Sequence, residues 1–290
     1  MNITSEMVKS LREKTGCGMM DCKRALSETG GDIEKAVDFL RKKGLATAAK
    51  KAERVATQGV VVSHLDMKSG TGVLLEANCE TDFVAKNPDF QQFVKDIAAH
   101  IAKNKPSDIA ALLEQPLENG SGKKVGDAIK EIIAKFGENT LIGRFSIFES
   151  SKGLVESYIH LNGKIGVLVE LESDKGISDD IKTLARDLSL QIAASRPSVI
   201  VKEEVPSEAL AHEREILKAQ ALSEGKPENI VDKMVEGRLG KFYSEFCLME
   251  QPFIKDPAKK IADVVKEASS KTGSKILVKK FTRYQIGEKA

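Results

Sequence analysis

The sequence predicts an α+β protein in which helices surround two small antiparallel sheets. Over the first 56 residues, apolar side chains recur with the spacing of amphipathic helices. From Gly59 onward, this spacing changes to the alternation that is typical of strands. A predicted hairpin followed by a helix then occurs twice. With 290 residues, the chain is long enough for about two domains.

The N-terminal segment 1–56 predicts a helical domain and a linker helix. The expected boundaries are a cap at Thr4 or Ser5, an end at Gly16, a second helix from about Met19 to Glu28, and a third helix capped by Asp32 and ended by Gly44. Three short helices around a Gly-rich first loop suggest a recognition module of the ubiquitin-associated type. The linker helix has a face of small and apolar residues: Leu45, Ala48, Ala49, Ala52 and Val55.

Two later segments resemble each other, which predicts a repeated hairpin. Residues 59–76 and 153–170 align without gaps at an offset of 94. The identical pairs include Gly59/Gly153, Val61/Val155, Ser63/Ser157, Gly72/Gly166 and Glu76/Glu170. Two related subdomains are therefore expected, each an antiparallel sheet with a helix over one face.

A helix of similar pattern follows each predicted hairpin and ends before a basic residue and a proline, Lys105-Pro106 or Arg196-Pro197. At these helices the offset has fallen to 91. The first copy therefore carries three additional residues between hairpin and helix, within the TDFVAKN stretch at 81–87. This segment places Phe83 beside a charge, where a core aromatic is not expected.

Further predicted helices and strands complete two subdomains, 57–149 and 150–290. A helix at about 124–136 and a strand at 140–149 complete the first, and a strand at 276–286 completes the second. The second subdomain also contains a helical-hairpin insertion at about 198–250.

The predicted insertion is an antiparallel coiled-coil arm. Its helices cover 206–224 and 228–247, joined by a turn at 225–227. The expected apolar side of the second helix consists of Ile230, Met234, Leu239, Phe242 and Phe246. We expect the hairpin to be too thin for a core of its own and to project from the protein.

Composition and motifs favour a cytoplasmic binding protein over an enzyme. The net charge is +2, no apolar run approaches 18 residues, and the first 20 residues do not resemble a signal peptide. The four dispersed cysteines fit reduced thiols. The stretch 120–124 lacks the residues of a phosphate-binding loop, and no metal-ligand or nucleophile motif occurs. We therefore expect no cofactor, no resident metal and no membrane contact.

Five stretches resemble the signatures of bacterial translation elongation factor Ts, in that family's order. They are TGCGMMDCKRAL (15–26), NCETDFVAKN (78–87), GKIGVLVEL (163–171), GKPENIVDKMVEGRLGKF (225–242) and QPFIKD (251–256). The resemblance implies a guanine-nucleotide exchange factor for the GTPase elongation factor Tu, acting by binding without covalent chemistry.

The resemblance also implies roles for individual residues. Thr81, Asp82, Phe83 and Val84 match the segment that dislodges Mg²⁺ from the partner's nucleotide site, with Phe83 as the intruding aromatic. The other implied partner contacts are Met19 and Met20 in the N-terminal domain, and His160, Gly163, Ile165 and Gly166 in the second hairpin.

One alternative from another class remains open at this point. The segment 41–54 carries six Lys or Arg residues against one Glu, so the protein could be an adaptor that binds RNA or the ribosome. The near-zero net charge argues against it, since proteins that bind phosphates usually have a clearer basic excess. An enzymatic function lacks any residue constellation.

Overall fold

A computed structural model describes residues 3–51, 53–117, 122–225 and 227–288. The helices are α1 Ser5–Thr15, α2 Met19–Glu28, α3 Ile33–Lys51, α4 Asp82–Ala85, α5 Pro88–Asn104, α6 Ile109–Glu114, α7 Val125–Phe136, α8 Asp179–Ser195, α9 Ser207–Ser223, α10 Glu228–Phe246 and α11 Ile261–Thr272. The strands are β1 Gln58–Asp66, β2 Thr71–Cys79, β3 Thr140–Glu149, β4 Gly153–His160, β5 Ile165–Ser173, β6 Pro252–Phe253, β7 Asp256–Lys260 and β8 Ile276–Gln285. The α+β class is confirmed. None of the helices in the described ranges combines the length and apolar composition needed to cross a membrane.

The three N-terminal helices begin and end as the sequence predicts, with one exception. Thr4 Oγ1 accepts a hydrogen bond from Met7 N at 3.2 Å and caps α1, and Asp32 Oδ1 accepts from Lys35 N at 3.0 Å at the start of α3. Gly16 ends α1 with a left-handed backbone at φ 67°. A small core joins the helices: Val8, Leu11, Cys22, Ala25, Leu26, Ala36 and Leu40.

The predicted helix end at Gly44 is wrong, because α3 continues through it to Lys51. A Cβ built on Gly44 would lie 2.7 Å from the Cβ of Ala134 in α7. The glycine therefore permits a close approach of α3 and α7 instead of ending the helix. Most of the predicted small-residue face beyond Gly44 lies outside the described side chains, and Val55 is exposed.

The two hairpins form equivalent sheets, with strand orders β1-β2-β3 and β4-β5-β8. Val61 pairs with Glu76 in the first sheet, as Val155 pairs with Glu170 in the second. Both third strands shift register immediately after the glutamate of this pair. The predicted repeat is thus present at the level of strand register.

The helices that follow the hairpins are also equivalent. Both α5 and α8 have 17 residues, and each ends at a basic residue in the left-handed region, Lys105 at φ 45° and Arg196 at φ 49°. The following proline cannot continue a helix, which explains the shared basic-proline pair.

The repeat extends further than the sequence comparison found. Helix α11 and strand β8 match α7 and β3 in length, at an offset of 136, and both helices end at a left-handed glycine, Gly137 or Gly273. The prediction included α7, β3 and β8 but missed α11. It also missed the short α6 and the β6–β7 ribbon.

Each sheet buries one face under its own helices and the other face against its partner sheet. The larger cores lie under α5 to α7 and under α8 and α11, with Phe90 and Leu188 at their centres. The core between the sheets contains Val61, Leu74, Phe148, Val155, Leu168 and Tyr284.

The contact between the sheets is reciprocal. A Cβ on Gly166 would lie 2.4 Å from Val61 Cγ1, and a Cβ on Gly72 would lie 2.4 Å from Val155 Cγ1. The related residues Ser157 and Ser63 share a hydrogen bond of 3.0 Å between β4 and β1, where Ser157 Oγ donates to Ser63 Oγ. The two repeats therefore face each other through matching residues.

Helices α9 and α10 form the predicted helical hairpin, and its apolar face agrees with the prediction only in part: Leu239 is buried and Phe242 packs against the same cluster. The buried residues are Leu217, Ala221, Val231, Val235 and Leu239, so the hairpin has a small core of its own. Ile230, which was expected on this face, is exposed. The interhelical seam follows Val231-Val235-Leu239 at a spacing of four residues, whereas the prediction started one residue earlier.

Gly44→Ala is expected to destabilise the protein by about 1–3 kcal/mol, because the added methyl group forces α3 and α7 apart. Gly237→Ala in α10 is the matched control, since a Cβ there meets nothing within 4 Å. The control is expected to raise stability by about 0.5–1 kcal/mol through helix propensity. Urea unfolding of both variants tests this, and equal effects in the two would contradict the close-approach role of Gly44.

Candidate functional site

The segment 80–87 is the longer of two equivalent connections. It joins β2 to α5 with eight residues, whereas 174–178 joins β5 to α8 with five. The longer connection contains the single four-residue turn α4, Asp82–Ala85. We call residues 81–84 the TDFV loop.

Hydrogen bonds fix the start of the TDFV loop. Thr81 N and Thr81 Oγ1 donate to the two carboxylate oxygens of Glu138, at 2.9 and 2.7 Å. In return, Glu80 Oε1 accepts from Asn139 N at 2.6 Å. The turn before β3 is thus joined to the turn after β2 by two carboxylates. Neither acid was identified from the sequence, where the only signal was the turn expected after α7.

Packing fixes the end of the loop and leaves one aromatic outside. Val84 and Ala85 are buried in the first subdomain's core. Phe83 lies on the opposite side of the turn and is 83% exposed. Because Phe83 and Val84 point to opposite sides of the turn, rotating the loop to bury Phe83 would remove Val84 from the core. The free protein therefore presents Phe83 to solvent.

The charges around the loop favour an ionised Asp82. The side-chain hydrogen bond from Lys86, at 2.6 Å, lowers the pKa of the Asp82 carboxyl, and Lys164 lowers it further. Behind the loop, burial raises the pKa of the Cys79 thiol to about 11, so that this group is a neutral packing residue. The loop thus presents one aromatic ring beside one carboxylate.

The tip of the second hairpin, between β4 and β5, lies near the start of β1, at the end of the first sheet from which the TDFV loop leaves. Lys164 Nζ donates to Gln58 Oε1 at 2.9 Å at the start of β1. A groove of about 480 Å³ runs along β1 between the two elements, with Lys86, Gln91 and Lys95 on one side and Ile159, Asn162 and Gly163 on the other. The structure therefore brings the TDFV loop and the predicted second contact region to one surface.

Of the four residues predicted to contact a partner at the hairpin tip, only His160 is exposed. His160 is exposed and shares a 2.8 Å hydrogen bond with Tyr158 Oη. Gly163, Ile165 and Gly166 are buried; Gly163 packs on Val60 and Gly166 packs on Val61, so these three do not offer side-chain contacts to a partner.

Leu161 is the accessible apolar residue of the tip, and the sequence analysis missed it. Its side chain is 63% exposed, and its backbone has φ 49° in the left-handed region. A bulky residue seldom adopts this conformation, and it costs about 1–2 kcal/mol. The strain is consistent with a role for the exposed side chain.

Met19 and Met20 form a further exposed apolar feature, at the start of α2. They are 46% and 72% exposed, whereas Cys22 one turn later is buried in the small helical core. Methionine side chains adapt readily to irregular partner surfaces. This pair belongs to the N-terminal helices and is not part of the groove along β1.

Three of the six cations in the basic segment 41–54 form ion pairs within the protein, and a fourth donates to a backbone carbonyl. Arg41 lies 3.6 Å from Glu131, Lys43 lies 2.8 Å from Asp21, and Arg54 lies 3.6 Å from Glu80. Lys51 donates to the carbonyl of Gly137. Four of the six cations are thus directed toward protein groups, which disfavours the RNA-binding alternative.

The described residues offer no constellation for metal or disulfide chemistry. Among them, no three His, Cys, Asp or Glu side chains are grouped as metal ligands. All four cysteines are free thiols, as the sequence analysis expected.

The accessible surface of the described residues thus carries an aromatic-carboxylate loop on a braced turn. A model of the elongation factor TS family matches residues 80–288, which is more than half of the chain. The chain belongs to the elongation factor TS family, and its role is that of an elongation factor Ts-like protein in translation. That family consists of nucleotide exchange factors rather than catalysts of covalent chemistry.

Two phenylalanines, Phe83 in the TDFV loop and Phe90 in α5, provide a test of the loop's conformation. Phe83→Ala is expected to change the free energy of unfolding by less than about 0.5 kcal/mol, because the ring is exposed. Phe90→Ala in α5 is expected to cost about 3–5 kcal/mol, because that ring is fully buried. Chemical denaturation measures both values. A large cost for Phe83→Ala would show that the ring packs inside the protein in solution.

Proposed function

We propose that this protein is a guanine-nucleotide exchange factor for the GTPase elongation factor Tu, and that the TDFV loop disturbs the partner's Mg²⁺ and phosphate site. The observation that carries the proposal is the exposed Phe83 on a turn fixed at both ends. Asp82 is the acidic neighbour, and its carboxylate is available to a metal-coordinating surface once it leaves Lys86. No covalent step is required.

The energetics require an interface larger than the loop. Accelerating nucleotide release by 10⁴-fold takes roughly 5.5 kcal/mol of differential binding. Burial of one phenylalanine supplies about 1.5–3 kcal/mol. We therefore propose that Met19 and Met20, and His160 with Leu161, supply further contacts that hold the loop at the nucleotide site. Because coupling is reciprocal, bound nucleotide weakens the association with this protein by the same factor.

The proposal includes the organisation of the chain. Residues 1–56 are the ubiquitin-associated-like domain and linker, 57–149 the first core subdomain, and 150–290 the second. The α9–α10 hairpin is the coiled-coil arm, for which a partner contact remains a proposal. Because the partner acts in translation, we place the protein in the cytoplasm.

Phe83→Ala is expected to slow release of a fluorescent GDP from elongation factor Tu by about 10- to 100-fold, which corresponds to the lost burial of the ring. Met67→Ala is the control, because Met67 is also exposed but lies in the β1–β2 turn, roughly 25 Å from the loop along the strands. Stopped-flow fluorescence measures both rates. Equal rates for wild type and Phe83→Ala would refute the proposed role of the ring.

Leu161→Asn tests the hairpin tip. Asparagine tolerates the left-handed conformation, so the variant is expected to keep or raise stability by up to about 1 kcal/mol. If Leu161 contacts the partner, affinity for nucleotide-free elongation factor Tu falls by about tenfold while stability does not fall. Thermal unfolding and titration calorimetry separate the two effects. Unchanged affinity would exclude Leu161 from the interface.

A further inference from the structure

The turn Gly137–Asn139 lies outside every stretch that carried the family resemblance, yet it contacts the TDFV loop directly. Its Glu138 accepts both donors of Thr81, and its Asn139 donates to Glu80. Antiparallel pairing of β2 and β3 ends at Cys79 and Thr140, so these bonds lie one step beyond the sheet. Two side-chain carboxylates there replace the carbonyl oxygens that would have continued the ladder.

The second repeat shows which of these bonds is a requirement of the fold. There, Asp174 Oδ1 accepts from Lys275 N at 2.8 Å, at the positions equivalent to Glu80 and Asn139. Both subdomains thus use a carboxylate after the second strand to hold the residue before the third. This bond is part of the shared fold.

The bonds between Glu138 and Thr81 have no counterpart in the second repeat. The residue equivalent to Glu138 is Ser274, two positions before β8, and its hydroxyl donates to Asp174 Oδ1 at 2.7 Å. Asp174 thus supplies the only carboxylate between this connection and residues 273–275, which have no acidic side chain to accept from 174–178. A glutamate therefore replaces the serine in the copy that carries the three additional residues.

The same turn also holds the chain that leaves the N-terminal helices. Lys51 donates to the carbonyl of Gly137, and Asn139 Nδ2 donates to the carbonyl of Arg54 at 2.7 Å. The guanidinium of Arg54 in turn lies 3.6 Å from Glu80. One three-residue turn therefore anchors both the TDFV loop and the connection from the helices that carry Met19 and Met20.

We propose that Glu138 is a positioning residue for nucleotide exchange: it holds the TDFV loop so that Phe83 is presented in one orientation. Thr81 caps α4 and donates to Glu138 from both its backbone N–H and its hydroxyl, so the first residue of the loop is fixed in its backbone and in its side chain. Charge-assisted bonds of this kind are stronger than neutral ones. The inference rests on the proposed exchange function, which it deepens.

The test uses Glu138→Ser, because serine is the residue that the second repeat has at the equivalent position and the fold accommodates it there. Glu114→Ala is the control, since Glu114 is an acid of the same subdomain that pairs with Lys124 on the surface and does not contact the loop. Amide hydrogen exchange of residues 80–87 is measured in the full-length protein without a partner. We expect exchange about tenfold faster or more in Glu138→Ser and unchanged in Glu114→Ala. Equal protection in Glu138→Ser and wild type would overturn the proposal.

A second measurement connects the positioning to exchange. Release of fluorescent GDP from elongation factor Tu is expected to slow about tenfold with Glu138→Ser. Added to Phe83→Ala, the same change is expected to slow release by less than about twofold, because the ring that Glu138 positions is already absent. A full tenfold effect in that background would show that Glu138 acts elsewhere, and would overturn the proposal.

The two measurements distinguish the two hypotheses. If Phe83→Ala alone leaves GDP release unchanged, the proposed function of the ring fails. The claim that Glu138 fixes the loop is then decided by the hydrogen-exchange result alone, which requires no partner.

Discussion

Reciprocal glycine–valine contacts set the distance between the two sheets, and the arrangement of the candidate site depends on that distance. Gly166 lies against Val61, and the equivalent Gly72 lies against Val155, with space for no Cβ at either position. A side chain at either glycine would push the sheets apart, because its nearest neighbour is a branched residue in a packed core. Since the sheets meet this closely, the tip of the second hairpin reaches the start of β1, where Lys164 bonds to Gln58 beside the groove that leads to the TDFV loop.

The same contact explains what the sequence could and could not predict. The internal repeat predicted both hairpins and the three-residue excess, because these depend on local alternation and on matched glycines. The family resemblance implied that Gly163 and Gly166 contact the partner, whereas the structure shows that the facing sheet leaves no space for a side chain at either position. The neighbour that a glycine accommodates depends on tertiary packing and cannot be predicted from local sequence. For the same reason, Gly44 was expected to end a helix, whereas it permits the close approach of α3 and α7. Glu138 was missed because its partner lies far away in the sequence.

The TDFV loop is already ordered in the free protein, which favours the proposed exchange. A flexible loop would lose conformational entropy when its aromatic ring is buried against a partner, and this loss would reduce the small free energy that one phenylalanine supplies. Here the loop is ordered before any partner binds: Glu138 fixes its start, and Val84 with Ala85 fixes its end. The packing of Val84 and Ala85 and the Glu138–Thr81 hydrogen bonds therefore stabilise the loop although the ring of Phe83 is exposed.

The proposed exchange requires the factor to dissociate after each cycle, and the distribution of Phe83, Leu161 and the Met19-Met20 pair over separate elements suits that requirement. Phe83, Leu161 and the Met19-Met20 pair are exposed and lie on three different elements. Since nucleotide and exchange factor weaken each other by equal free energies, a returning nucleotide has to offset only the contact at its own site. The contacts away from the nucleotide site hold the partner in place until the contact at the nucleotide site is lost. A single large apolar surface would bind more tightly but would release the partner slowly, because affinity differences appear mainly in the dissociation rate.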